Sequence, residues 1–468
     1  MKPIRLAGVS LVALCIASAA PAAVTPEDVW DNWQALAESW DQQITADRTE
    51  RQGDSLIVSG VKVVQDKEGS HLEGTIDRIT LADQGDGTVL VTMSERFPMT
   101  VVSTPPAAEG EPAPESVTTQ VVQSQDNLRV VASGDPSNIR NDMTADRVVV
   151  TMNDMKKSDG TAIPMTMTVT MQGLDGYWEG KEQMDSVTRA ANVDMMVKFS
   201  DPEQRASFDT RMQDVAITLA GKTNAAAQAI GFLGQVGFAY VTSTYRMDMA
   251  GTKTLLAEGE TGAGTMNIDL RGEDMTSDSD VENATLRLSG TQMPFPMDLR
   301  MAGARQSATL PTQPERTGPF SMMIDLRDVT ASDETWKQFD PKGALPRDPA
   351  QLSLSLNGTE GETPVVTLEN LRVLAAGAEL TGQGQMTPIP DAMGPMAGLG
   401  RGRVDLTLRG GNGLIDRLVA GGILPAEQEM AARMSLGAFG RAVPGQDDTI
   451  TSAIQFGNGL SVNGIPLQ

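Results

Sequence analysis

The residues that could perform catalysis in this chain are few and far apart in sequence. Its single histidine, His71, has no nucleophile motif beside it, so a Ser-His-Asp site would have to be assembled entirely through space. Ser59 and Lys62 have Ser-x-x-Lys spacing, but they lie in an alternating pattern typical of a strand and lack the companion motifs of that chemistry. The only cysteine, Cys15, lies close to the N-terminus. We predict no catalytic residue and no enzymatic activity.

Acidic side chains offer two further kinds of site. One is a calcium site at the cluster formed by Asp274, Asp278, Asp280 and Glu282. The cluster lacks the Asp-x-Asp-x-Asp-Gly loop with its distal Glu, which favours a solvated loop over a calcium site. The other is a carboxylate pair of the kind glycosidases use, and a chain with 61 acidic residues contains such pairs by chance. The sequence singles out none of them.

Methionine is unusually frequent, with 27 residues. Pairs such as Met165 with Met167 and Met247 with Met249 place two thioethers on the same face of a strand, and thioethers are ligands of Cu(I). These methionines stand where the alternation demands an apolar residue, which favours an adaptable apolar surface that fills a core or lines a groove. We predict no metal site and no cofactor.

The N-terminus has the features of a secretory signal peptide. A basic start and an apolar run at residues 6–16 precede Ala20-Pro21-Ala22, which fits a cleavage site between small residues. We expect residues 1–22 to be removed, the mature protein to reside in the periplasm, and no transmembrane span to remain. The net charge of −24 at pH 7 disfavours nucleic acid and anionic membrane surfaces as partners.

Residues 23–45 are predicted to form an N-terminal amphipathic helix. Thr25 suits the N-cap and Pro26 the first helical position. The apolar face, at helical spacing, consists of Val29, Trp33, Leu36 and Trp40. Because the polar side is acidic, we expect the helix to dock on the body of the protein rather than lie in a membrane interface.

Beyond this helix the dominant pattern is alternation with period two, as at residues 165–171 and 404–408. Such segments are typical of antiparallel strands with one wet and one buried face. Asp86-Gly87 and Ala376-Gly377 are expected hairpin turns. The predicted fold is mainly β: a large twisted antiparallel sheet, a curved half-barrel or sandwich-like, with the N-terminal helix and a short C-terminal helical pair.

We expect the strands to fall into two regions. Residues 46–310 form a Met-rich antiparallel region with a disordered Pro/Glu-rich loop at 104–118. Residues 311–468 form a C-terminal β region with helices near 412–420 and 425–439. The sequence also predicts a short helix at residues 224 to 233.

Five short motifs stand out in the C-terminal third: LPRDP at 345–349, AGAELTGQG at 376–384, GNGLID at 411–416, LPAEQ at 424–428 and GLSVNG at 459–464. They resemble the bacterial family described as domain of unknown function 2125, and the opening at 25–40 resembles it as well. The resemblance implies an exported envelope protein and assigns no activity. The AGAELTG segment is also distantly similar to β-rich envelope proteins of the AsmA type, which are linked to lipid traffic.

Together these features favour a non-enzymatic envelope protein that binds or shields an apolar partner, either a lipid or an envelope protein such as a lipoprotein. The alternative is a periplasmic scaffold or protein-interaction module with a closed β core. A hydrolase using paired acids ranks third. An apolar groove would favour the first function, a filled sandwich the second, and converging acids in a polar cleft the third.

Overall fold

A computed structural model gives the structure of residues 23–67, 69–104, 115–180, 183–201, 203–223, 232–311, 318–359, 365–387, 400–457 and 459–467. The predicted signal peptide and most of the predicted loop at 104–118 lie outside the described residues. Within them the chain forms twenty-seven strands and four helices.

Helix α1 spans Pro26–Ser39 and begins with a capping box, in which Thr25 and Asp28 exchange side-chain and backbone hydrogen bonds. The helix stops at Ser39 because Asp41 adopts a left-handed backbone with φ of +56°. The first strand follows at once. The sequence prediction for this helix was therefore right about its start and too long at its end.

The first module of the sheet is built from long strands joined by short turns. Its strands are β1 (Gln42–Gln52), β2 (Ser55–Lys67), β3 (Ser70–Asp83), β4 (Val89–Met93), β5 (Arg96–Ser103), β6 (Val117–Asp126), β7 (Arg129–Asp135), β8 (Asn138–Lys157) and β9 (Ala162–Ile163).

The middle of the sheet follows directly. Its strands are β10 (Met165–Glu179), β11 (Gln183–Ser200), β12 (Arg205–Thr223), β13 (Phe232–Tyr240), β14 (Thr242–Ala250), β15 (Leu255–Thr261), β16 (Gly264–Asp269), β17 (Asp274–Ser289) and β18 (Met297–Pro311).

The C-terminal part combines strands with three helices. Its strands are β19 (Pro319–Ala331), β20 (Ala350–Thr359), β21 (Val365–Ala375), β22 (Ala378–Thr387), β23 (Arg401–Arg409), β24 (Arg441–Ala442), β25 (Thr449–Gly457), β26 (Gly459–Val462) and β27 (Ile465–Leu467). The helices are α2 (Asp333–Phe339), α3 (Gly411–Gly421) and α4 (Ala426–Phe439).

All the strands belong to one antiparallel sheet. Among the described residues β1 pairs with β2 alone and β27 with β26 alone, so the sheet is open at both edges. It curves into a partial ring. The prediction of a mainly β protein with one large antiparallel sheet, an N-terminal helix and a C-terminal helical pair is confirmed.

The sheet divides twice and rejoins each time. β3 pairs with β5 and with β4; β5 continues to β6, β4 continues to β7, and both branches meet on β8. β12 repeats this pattern with β14 and β13, which continue to β15 and β16 and meet on β17. The modules β3–β8 and β12–β17 therefore share one topology.

Long strands bend where one residue adopts a left-handed backbone. These residues are Gly60, Asp154, Gly173, Asp214, Asn283 and Asp328, and the regular strand pairing skips each of them. Glycine has no Cβ, and Asp and Asn tolerate this region better than other residues do. On β12 the bend separates the part paired with β14, which ends at Gln213, from the part paired with β13.

Two compact clusters of apolar side chains hold the fold. In the first, Val29 and Trp30 of α1 pack with residues of β2, β3, β4, β7 and β8 that include the fully buried Leu81. The second consists of Ala145, Val148, Leu174, Ala190, Val193 and Val215. Elsewhere on the sheet many apolar side chains are only half-buried.

Other local predictions have mixed outcomes. The helices expected near 412–420 and 425–439 are α3 and α4. Helix α2 was missed because its seven residues are too few to show helical periodicity. Residues 224–231 of the further predicted helix lie outside the described chain, and its last residues belong to β13.

We expect Asp214→Val to lower the free energy of unfolding by about 1–2 kcal/mol, because a β-branched residue is strained at the positive φ of this exposed position. Asp214→Gly, which fits the same backbone without strain, should leave stability nearly unchanged. Urea unfolding followed by circular dichroism measures both. Equal losses for the two variants would show that the aspartate side chain, and not the bend, carries the effect.

Helix α3 has no side-chain cap of its own because Gly410 stands at its N-cap position. The carboxylate of Asp448 takes this role and accepts hydrogen bonds of 2.8 Å from the backbone N–H groups of Asn412 and Gly413. Burial raises the pKa of Asp448, but the hydrogen bonds from Gly413 and Asn412 outweigh burial and hold that pKa below its usual range.

Asp448→Asn should therefore cost about 1 kcal/mol of stability at neutral pH. Because the pKa of this carboxyl is lower in the folded state, its contribution is present above the unfolded-state pKa of about 3.9 and is lost as the pH falls through the folded-state pKa. The difference in urea midpoint between wild type and variant should close in acid. A difference independent of pH contradicts this account, and exposed Asp447→Asn is the matched control.

Candidate functional site

One face of the sheet carries a continuous line of apolar side chains that crosses thirteen strands at right angles. Residues directly opposite one another in antiparallel pairs point to the same face of a sheet. From β1 to β18 this apolar row consists of Ile44, Val63, Gly74, Met99, Val121, Met152, Met167, Val197, Phe208, Met247, Ala257, Leu288 and Met297.

The apolar row is neither fully buried nor fully exposed. Gly74, Val121 and Ala257 are buried, and the other members are half-buried. Twelve steps of about 4.8 Å between strands make the row roughly 58 Å long. It contains no charged or hydrogen-bonding side chain along this length.

Neighbouring rows on the same face widen this surface. Residues two positions along each strand share its face, and on one side they include Val169, Met195, Thr210 and Tyr245. The hydroxyl of Thr210 donates a hydrogen bond of 2.9 Å to the backbone oxygen of Thr244. On the other side they include Phe199 and Met249. Tyr245 donates a hydrogen bond from its Oη to the backbone oxygen of Thr285 at 2.6 Å, and burial raises the pKa of its phenol. Apart from the hydroxyl groups of Thr210 and Tyr245, the surface is thus apolar and about three residues wide in the middle of the sheet.

The opposite face at the same strands is charged. Beginning on β12, successive strands place Asp209, Arg246, Glu258, Arg287 and Asp298 opposite one another, so the sign of the charge alternates. Arg246 is 2.8 Å from Glu258, and Arg287 is 3.5 Å from Asp298. A hollow of about 650 Å³, lined by Met196 as well as by charged side chains such as Asp209 and Arg246, lies over this face. The sheet is therefore amphipathic, with one apolar and one charged side.

A tryptophan-lined cavity of about 460 Å³ adjoins the first strand of the apolar row. It is lined by Trp33, Leu36, Ala37 and Trp40 of the N-terminal segment and by Gln42, Ile44, Met93 and Trp178 of the sheet. The rings of Trp33 and Trp178 are 6.2 Å apart between centroids. Because Ile44 belongs to both, the cavity and the apolar row form one continuous apolar surface.

A buried amide fixes one wall of this tryptophan cavity. The indole Nε1 of Trp33 donates a hydrogen bond of 3.1 Å to Oδ1 of Asn141, which is 1% exposed. The Nδ2 of Asn141 meets no hydrogen-bond acceptor within the described part of the chain. Asn141 stands directly opposite Trp178 in the pairing of β8 with β10. This pairing therefore fixes the position of Trp178 and, through the hydrogen bond to Asn141, that of Trp33.

The predicted methionine pairs lie where the alternation placed them. Met167 and Met247 are members of the apolar row, and Met165 and Met249 lie on the adjacent row of the same face. Their flexible thioethers form an adaptable apolar surface. Sequence reasoning missed Trp178, because nothing local in the sequence shows that β10 passes beside α1.

Residues considered for catalysis or metal binding do not converge. His71 lies opposite Asp66, with its Nδ1 at 2.5 Å from Oδ1, and Lys62 forms an ion pair with Asp47. The four acids weighed as a calcium cluster lie along strand β17, so the prediction of a solvated loop there was wrong. Asp280 pairs with Arg327 at 3.2 Å. Within the described ranges, no three imidazole, thiol or carboxylate side chains are grouped to hold a metal ion.

No helix in the described residues is long and apolar enough to cross a bilayer. A scan against protein-family models found no match, and searches of curated proteins and of solved structures found none either. The resemblance to the domain of unknown function 2125 family and to AsmA-type proteins therefore stays a prediction.

Replacing the buried amide tests how the tryptophan cavity is held. We expect Asn141→Ala to lower the free energy of unfolding by about 1–3 kcal/mol, because it leaves the Trp33 indole N–H without an acceptor in a buried place. Exposed Asn267→Ala is the matched control and should have no measurable effect. Urea unfolding followed by tryptophan fluorescence reports both. A neutral Asn141→Ala would mean that the indole is held by packing alone.

Proposed function

We propose that this protein binds the acyl chains of a lipid along the apolar row and in the adjoining tryptophan cavity, as an exported, non-enzymatic envelope protein of the periplasm. The observation that carries the proposal is the length of the apolar row, whose thirteen residues include no polar side chain over roughly 58 Å. This is close to twice the roughly 30 Å hydrocarbon thickness of a bilayer. The apolar row is therefore longer than an extended lipid acyl chain.

The chemistry of the apolar row suits hydrocarbon better than polypeptide. A peptide laid in extended form on this face would bury backbone N–H and C=O groups against side chains that offer no hydrogen bond, which costs several kcal/mol for each group left unpaired. An acyl chain has no such groups. Unbranched methionine side chains, as at Met152 and Met167, adjust to a flexible ligand at low cost.

The partial exposure of the apolar row supports a protein with an open binding surface. It argues against the alternative function, a scaffold or protein-interaction module with a closed β core. A filled sandwich would bury the row residues between two layers, whereas ten of the thirteen keep part of their surface in solvent. Burying an apolar side chain such as Phe208 stabilises by about 25 cal/mol for each Å² removed from water. A lipid that covers the row therefore gains binding free energy along its whole length.

The first test is mass spectrometry of an organic extract from the protein purified from the periplasm without detergent. Lipid in near-stoichiometric amount is the expected result. After extraction, the refolded protein should take up a fluorescent phospholipid from zwitterionic vesicles. A clean extract together with no uptake would overturn the proposal.

Matched variants test whether the lipid lies on the apolar face of the sheet. Met167→Glu puts a charge in the apolar row and should weaken lipid uptake at least about tenfold, equal to 1.4 kcal/mol. Thr168→Glu changes the next residue, which points to the opposite face, and should leave uptake unchanged. Equal losses in both variants would show that the lipid does not lie on the apolar row.

A further inference from the structure

A second line of side chains, distinct from the apolar row, runs through both modules of the sheet on a single face. This upper row consists of Leu56, Leu81, Val91, Val130, Met143, Gly176, Thr188, Ile217, Phe238 and Met266. Members opposite one another in the ladder share a face, so the two ends of the row are on the same side of the sheet.

The two ends of the upper row differ sharply in exposure. In the first module Leu81 and Val91 are 0% exposed, because α1 lies over them and places Val29 and Trp30 in the same buried cluster. In the second module Ile217 is 41% exposed and Met266 is 40% exposed. Within the described residues, the same topology and the same apolar chemistry are therefore covered by a helix in the first module and left uncovered in the second.

The open area is a compact apolar surface on β12, β13 and β16. This second patch consists of Ile217, Leu219, Val236, Phe238, Met266 and Ile268. Its neighbours on the same face are uncharged: Ser186 and Thr188 on β11, and Ser277 and Ser279 on β17. The patch thus offers no charge that would repel or select a partner by sign.

We infer that the second patch is a docking surface for an amphipathic helix of a partner protein, with apolar side chains at the spacing found in α1. The equivalent strands of the first module show what such a surface accepts, a helix that inserts a valine and a tryptophan at adjacent positions. A helix satisfies its own backbone hydrogen bonds and can lie on a sheet face, whereas an added strand would need a free edge.

This inference does not rest on the proposed lipid binding. On β12 the second patch lies beyond the bend at Asp214, whereas Phe208 of the apolar row lies before it. The second patch is also short, only three strands wide, which suits one face of a helix of about three turns.

A peptide with the sequence of residues 24–41 is the probe, because it carries the apolar spacing of α1. Labelled with a fluorophore and titrated with the full-length protein, it should bind saturably with one site per chain. Ile217→Glu and Met266→Glu should each weaken binding at least about tenfold. Thr218→Glu changes an exposed residue on the opposite face and should not alter the affinity.

Cross-linking locates the peptide and separates docking from exchange with α1. A photoreactive group in place of the residue equivalent to Trp30 should cross-link to β13 or β16, the strands equivalent to β4 and β7. Cross-links to β1–β3 would mean that the peptide displaces α1 and would overturn the inference. Absence of saturable binding, or equal binding to all variants, would overturn it too. Ile217 and Met266 are already exposed, so their variants are expected to keep the wild-type circular dichroism spectrum.

Discussion

The interaction on which the rest of this structure depends is the antiparallel hydrogen-bond register between successive strands. Register decides which side chains stand opposite one another, and a slip by one residue transfers every side chain of a strand to the other face. Met167 on the apolar row and Thr168 on the charged face differ by one position. Without one consistent register over thirteen strands, methionines and charges would alternate along each face, and no continuous apolar surface would exist.

The same constraint explains how a sheet with small cores is held together. A single cysteine permits no disulfide within the chain, so packing under α1 and around Leu174 must supply the stability that backbone pairing alone does not. The alternating charges of the opposite face form cross-strand pairs that also fix register. At the open edge β1 carries charged residues such as Arg48 and Glu50, which discourage pairing with another chain.

Much of the architecture could be predicted because it follows from local patterns in the sequence. Period-two alternation identified strands, Ala376-Gly377 identified a hairpin, and Thr25 with Pro26 identified the start of α1. The branching of the sheet and the apolar row could not be predicted, since both depend on which strands pair over long separations. The same is true of Trp178, which meets Trp33 only because β10 pairs with β8. Bends at Asp214 and Asn283 also escape prediction, because an aspartate or asparagine in a strand is not by itself a sign of positive φ.

The most direct test of the central claim, that register leaves one face of the sheet open to hydrocarbon, is methyl NMR of the protein labelled at its methionines. A fatty acid is added, changes in methyl chemical shift are followed, and signals are assigned by single substitutions. The signals of Met152, Met167 and Met247 should shift, while that of Met196, 40% exposed on the opposite face, should not. A shift of Met196 as large as those of the row methionines, or no shift of any methionine, would contradict the account.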